Sequence, residues 1–170
     1  MDNFDDYKLA VTSKLIELES CEENRLAVTC MAQQCTRTLD IISRLLDPPI
    51  FDSTGFIEAV RQLVVRYRNP LIRVIVFDPE TIVGHGHRLV DLAGDLTSFI
   101  QIRKVSSEYN DYNECLLIAD SVGYIHRKHA DRYEATVNFN DRRQSKHLQK
   151  GFEGMWETAI PDPNLRRVNL

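Results

Sequence analysis

The run LIRVIVFDP at residues 71–79 constrains the fold more than any other stretch. Val, Ile and Leu fill it almost without a break, and β-branched side chains favour extended, pleated chain. A strand with one face in water alternates apolar and polar residues. A continuous run is the pattern of a strand covered on both faces. The chain is therefore predicted to place helices on both sides of a sheet. Asp78 and Pro79 close the strand, because proline has no N–H to give to a ladder.

The segment before it supplies one covering helix over 53–68. Phe56, Ile57, Val60, Leu63, Val64 and Tyr67 recur at the spacing of one helical face, with Arg61, Arg66 and Arg68 on the other. Asp52 or Ser53 caps its start and Asn69-Pro70 ends it. Upstream, KLIELE (14–19) alternates as a short strand. Ser20 and Glu23 form a capping box for a helix reaching Cys35. TLDIISRLL (38–46) is a second apolar strand, stopped by Asp47-Pro48-Pro49. Downstream, a flexible Gly-His-Gly-His tract leads into the amphipathic helix RLVDLAGDL (88–96). FIQIRKV (99–105), CLLIAD (115–120), YIHRK (124–128) and YEATVNF (133–139) read as strands. Asn140 or Asp141 caps a last helix whose apolar face is Leu148, Phe152, Met155, Trp156 and Ala159.

Strands and helices alternate in the first half, which gives parallel neighbours with helical crossovers. The last three strands are too close together for such crossovers and add antiparallel pairs. The expected architecture is an α/β domain over residues 14–170 with a mixed, mainly parallel sheet and helices on both faces. Residues 1–13 are expected to form a flexible arm.

Composition excludes several function classes. No apolar run approaches the ~20 residues of a membrane span. The acidic start MDNFDDYK has no hydrophobic region, so a cytoplasmic location is expected. Cys21, Cys30, Cys35 and Cys115 form no CxxC pair, which leaves reduced packing cysteines rather than a zinc site. His85 and His87 sit two apart but have no third ligand nearby, so neither metal nor cofactor is expected. The net charge of −4 hides an asymmetry: residues 1–60 hold eleven acids and five Lys/Arg, whereas 121–150 hold seven Lys/Arg and three acids. A general nucleic-acid binder is basic overall, so only a local anion-binding face is expected.

The segment from Asn113 to His129, NECLLIADSVGYIHRKH, carries a resemblance. A strand, a Gly-containing turn and a second strand, set after alternating strand–helix units and before a final helix, resemble one half of the phospholipase D superfamily. The signature there is H-x-K-x4-D. Asp120 and Gly123 stand where its acid and turn stand, while Asn113 and Cys115 occupy the histidine and lysine positions. Residues 20–170 also resemble a bacterial domain family of unknown function, found alone or joined to GNAT-type N-acetyltransferases. LDPPIFD (46–52), DPE (78–80), GHRLVDLA (86–93), IQIR (100–103), LLIAD (116–120), DRYEA (131–135) and PDPNLRR (161–167) carry that resemblance by their order and spacing.

The first resemblance implies a chemistry that these residues do not support. A neutral imidazole attacks phosphorus in that superfamily, and a lysine holds the developing negative charge. The amide of Asn113 is not basic. Cys115 lies on an apolar strand, where burial raises a thiol pKa. The expectation is a pseudoenzyme, a non-catalytic binding or regulatory module. Implied partners are a second copy of the chain as a homodimer, a protein such as an acetyltransferase, or an anionic ligand. The alternatives are a diverged phosphodiesterase or nuclease using His126, His87 and Asp120, and a nucleic-acid binder using basic residues of 127–146. Ligand-binding candidates are His87, Arg88, His126, Arg127 and Arg132. GHGHR reads either as an anion cradle at a helix start or as a plain turn. Arg132 is expected to pair with Asp120 or Asp131.

Overall fold

A computed structural model describes residues 3–165; the end of the PDPNLRR run lies outside them. The strands are β1 (Ile16–Leu18), β2 (Thr38–Ile42), β3 (Leu71–Val76), β4 (Ile100–Lys104), β5 (Cys115–Ala119), β6 (Gly123–Arg127) and β7 (Ala135–Asn138). They form one mixed sheet in the order β1-β7-β6-β5-β2-β3-β4. Strands β2, β3 and β4 are parallel, and every other pair is antiparallel. The parallel part therefore takes three of the seven strands, fewer than the mainly parallel sheet expected.

Helices cover both faces, as the continuous apolar run at β3 requires. The helices are α1 (Cys21–Gln34), α2 (Pro48–Phe51), α3 (Thr54–Arg66), α4 (Pro79–His85), α5 (Arg88–Asp95) and α6 (Arg142–Thr158). The first five pack with Ile72, Val74 and Val76 in the larger core, while α6 covers Ile42, Ile75, Leu116 and Ile118 on the other face. Alternation along each strand sends neighbours to opposite cores. Under α6, Arg73 bridges Asp40 at 2.9 Å and stacks on Phe152 at 4.8 Å.

Capping explains where the helices start. Ser20 Oγ accepts from the Glu23 N–H at 3.1 Å, the capping box read from sequence. Asp141 caps α6 by accepting from the Gln144 N–H at 3.0 Å. Two helices escaped the sequence reading. Pro48 opens α2 and Pro79 opens α4, each at a first-turn position that needs no N–H. Half of the tract expected to be flexible is helical: Gly84 and His85 end α4, His87 caps α5, and only Gly86, at φ 76°, needs the left-handed region.

The stretch expected as a free arm packs where it is described. Phe4 is buried, the Leu9 N–H donates to Gln34 at 2.8 Å, and the Ala10 N–H donates to the Phe139 carbonyl at 2.9 Å.

The β5–β6 connection is a three-residue loop, Asp120 to Val122, in which the Val122 N–H donates to the Ala119 carbonyl at 3.0 Å around Asp120 at φ 53° and Ser121 at φ 58°. Both central residues are left-handed, the pattern of a hairpin turn whose twist matches its strands. The Asp120 carboxylate accepts N–H groups of Thr36 (3.0 Å), Arg37 (2.8 Å) and Thr38 (3.0 Å), and the Thr36 hydroxyl at 3.1 Å. Burial alone would raise this carboxyl pKa, but the ring of donors outweighs it and holds the group below its ordinary value. A depressed folded pKa means stability that is full above the unfolded value of about 3.9 and lost as pH falls through the folded one. Asp120→Asn should therefore cost roughly 3 kcal/mol at neutral pH and flatten the acid limb of stability against pH. Denaturant unfolding across an acid pH series measures both.

Candidate binding cleft

On the side of the sheet where β2, β3 and β4 end lies a cleft of about 460 Å³. Its walls come from the segment after β2 (Ser43, Arg44, Asp47), from Phe77 and Asp78 after β3, and from Asn113 and Cys115 where β5 begins. Arg127, Ala130 and Asp131 close the far wall after β6. Ligands of α/β folds gather at this carboxyl edge.

Register decides which side chains meet here. In the antiparallel β5–β6 pair, Cys115 stands directly opposite Arg127. Both lie in the cleft wall, on the face covered by α1. The Arg127 side chain is 3% exposed and bridges Asp47 at 2.9 Å. It also donates to the Ala130 carbonyl at 2.6 Å, and its Nε is buried without a partner. Burial pushes the Cys115 thiol up to about 11, so it is not a thiolate at neutral pH. Arg44 stacks on Phe77 at 4.4 Å and donates to the Tyr112 carbonyl, and Phe77 in turn stacks on Tyr112.

The loop that carries Ser43 to Asp47 is held in an unusual shape. Leu46 is left-handed at φ 50°, a conformation that costs a residue with Cβ of order 1 kcal/mol. It persists because its side chain is fully buried, its N–H reaches Ser43 Oγ at 3.0 Å, and its carbonyl accepts from His87 Nε2 at 2.9 Å.

His87 is thus a support rather than a ligand-binding residue. Its Nδ1 accepts from the Leu89 N–H at 3.1 Å and caps α5, so Nε2 carries the proton. Burial lowers its pKa, which keeps the ring neutral. Arg88 is also engaged: it bridges Asp52 at 2.9 Å and reaches Thr54 Oγ1. The amides at the start of α5 go to His87 and Asp52, so the expected anion cradle is filled by the protein itself. His126 points to the α6 face, opposite Leu116, and bonds Glu114 at 2.9 Å. Arg132 is exposed and forms no ion pair with Asp120 or Asp131 among the described residues. Asp120 lies at the other end of β5, about 17 Å of extended chain from Cys115.

The five ligand candidates therefore do not converge, and only Arg127 lies in the cleft. His126, His87 and Asp120, the set for a diverged phosphodiesterase, occupy separate places. The basic residues split too: Arg142, Arg143 and Lys146 start α6, whose cap Asp141 bonds Val122 at the β5–β6 turn, away from Arg127. Sequence reasoning missed Ser43, Arg44, Asp47, Phe77, Asn110 and Asp131 as cleft residues. Only the break at Asp47-Pro48 hinted at a loop there. Among the described residues no group of His, Cys, Asp and Glu is placed to hold a metal ion, and no helix is long and apolar enough to cross a membrane.

Solved structures share this fold. Nuc, a phospholipase D family member from Salmonella typhimurium, aligns over 86% of this chain and 95% of its own with TM-score 0.62 at 12% identity. NucT from Helicobacter pylori aligns over 88% and 99%, with TM-score 0.61 at 10% identity. TrmBL2, an archaeal chromatin protein with a novel mode of DNA binding, aligns over 88% of this chain with TM-score 0.62 at 13% identity, and the chain spans 54% of its length. The fold is therefore the phospholipase D-like α/β fold. The chain belongs to a family described as a domain of unknown function, DUF7931, whose sequence profile matches residues 20–168. No curated protein matches the sequence.

The Asp47–Arg127 bridge sets a testable energetic claim. Asp47→Ala leaves a buried guanidinium without its carboxylate and should cost about 2 kcal/mol. Adding Arg127→Met should recover most of that loss, since the unpaired charge is then gone. Urea unfolding of the single and double variants decides whether Arg127 pairs or merely packs.

Proposed function

We propose that this chain is a non-catalytic phospholipase D-like module that binds a partner through the cleft at the former catalytic positions. One observation carries the reading. Asn113 and Cys115, which the resemblance sets at the nucleophile and lysine positions, both line the cleft, and the buried cation beside them is already bridged by Asp47. Neither side chain can attack phosphorus at neutral pH, and Arg127 is not free to hold a developing phosphate charge. Shape is retained without the groups that would speed the reaction.

The same pairing favours a protein partner over a small anion. Arg127, the buried cation of the cleft, has a carboxylate partner, so an anion reaching it would have to displace Asp47. A homodimer and an acetyltransferase remain the proposed protein partners, the second by family association alone. The DNA binding described for TrmBL2 suggests a nucleic-acid ligand, but the split of the basic residues and the net charge of −4 count against it.

Hydrolysis of bis-p-nitrophenyl phosphate and of plasmid DNA tests the proposal. No turnover is expected from the chain as it stands. Turnover that disappears in His126→Ala would mean that the diverged enzyme is the right reading. Light scattering on the same preparation checks the dimer.

A further inference from the structure

The cleft does not end at Phe77. A second hollow of about 480 Å³ lies beside it, lined by Lys104, Ser106, Ser107, Thr158 and Ile160, and the two share Phe77 and Asn110. Together they run along the sheet edge past β6, β5, β2, β3 and β4, which are consecutive neighbours. Four gaps of ~4.8 Å make a trough of about 19 Å, the length of roughly six residues of extended chain. A compact ligand fills one end of such a trough, and a linear one fills it all.

Charge selects among linear ligands. The lining carries Arg44, Arg127 and Lys104 against Asp47, Asp78 and Asp131, which cancel. A phosphodiester strand would meet three carboxylates with no surplus of cations to release counterions. Peptide chain is neutral along its backbone and offers alternating N–H and C=O groups. Asn110 and Asn113 project side-chain amides into the trough that make no hydrogen bond within the described residues, and each amide can donate and accept at once. Leu45, at 44% exposure, and Ile160, at 59%, stand one in each hollow as apolar footholds. The ends differ: Asp131 at the β6 end and Lys104 at the β4 end are exposed and in no ion pair among the described residues.

We infer that the trough binds an extended polypeptide segment of about six residues, with a basic residue toward Asp131 and an acidic one toward Lys104. This rests on the reading of the cleft as a binding site and names what it binds. The segment spans two hollows, its backbone meets the two asparagine amides, and its apolar side chains rest on Leu45 and Ile160.

Amide NMR of the full chain tests it. The probes are pools of capped hexapeptides with a basic and an acidic end around apolar centres, in both orders, alongside hexathymidylate and maltohexaose. Saturable shifts in 43–47, 77–78, 104–113 and 127–131 are expected for one peptide order. Asn110→Ala with Asn113→Ala, exposed positions that leave the fold intact, should weaken binding about tenfold. Lys104→Asp with Asp131→Lys should reverse the preferred order. Peptide binding unaltered by either pair of changes overturns the inference. If hexathymidylate or maltohexaose shifts these residues and no peptide does, the inference falls while the cleft stands as a binding site. If no probe shifts them, both fall.

Discussion

The Asp120 carboxylate fixes the geometry on which everything else rests. Three backbone N–H groups from the α1–β2 connection converge on it, while its own N–H returns to the Thr38 carbonyl at 2.8 Å. That clamp joins the start of β2 to the end of β5 and locks their register, Leu39 opposite Ala119 and Ile42 opposite Leu116. A slip of one residue would turn every β5 side chain to the other face. Cys115 would then leave the cleft wall for the α6 core. The acid that the resemblance marks as a motif remnant thus acts as a structural pin, and its effect reaches the cleft through the rigid strand between them.

The cleft itself is built by compensation. Cys115 brings no charge, and its cross-strand partner Arg127 brings one that the protein largely consumes internally. His87 stabilises the left-handed Leu46 and so holds the segment from Ser43 to Asp47 in place. Residues that look functional in sequence, such as a histidine in a glycine tract, spend their polar atoms on the scaffold. Asn110, which no pattern in the sequence marked, and Asn113, at the degenerate histidine position, keep side-chain amides without hydrogen bonds in the opening among the described residues.

Much of the fold was legible because its signals are local or periodic. The β3 run announced a doubly covered strand, the 3.6-residue pattern of α3 needed no tertiary information, and Ser20 with Glu23 marked α1. Helices α2 and α4 were hidden because proline both stops a strand and starts a helix, and each has only a turn or two in which to show a period. The site was harder to read. Its walls come from four separate stretches that meet only through strand order and register, and neither quantity is written in local pattern. The fates of Arg88 and Arg127 depended on Asp52 and Asp47, residues 36 and 80 positions away. Exposed and buried arginines look alike in a sequence until their partners are placed.

The central claim is that the cleft keeps the outline of a phosphate site but is neutralised from within. The most direct measurement follows the Arg127 Nε–H resonance while inorganic phosphate is titrated into the full chain at millimolar concentrations. The account predicts no saturable shift, because Asp47 and the Ala130 carbonyl already hold the guanidinium. A saturable shift at Arg127, shared by Asn113 and Ser43, would show a working phosphate site and contradict it.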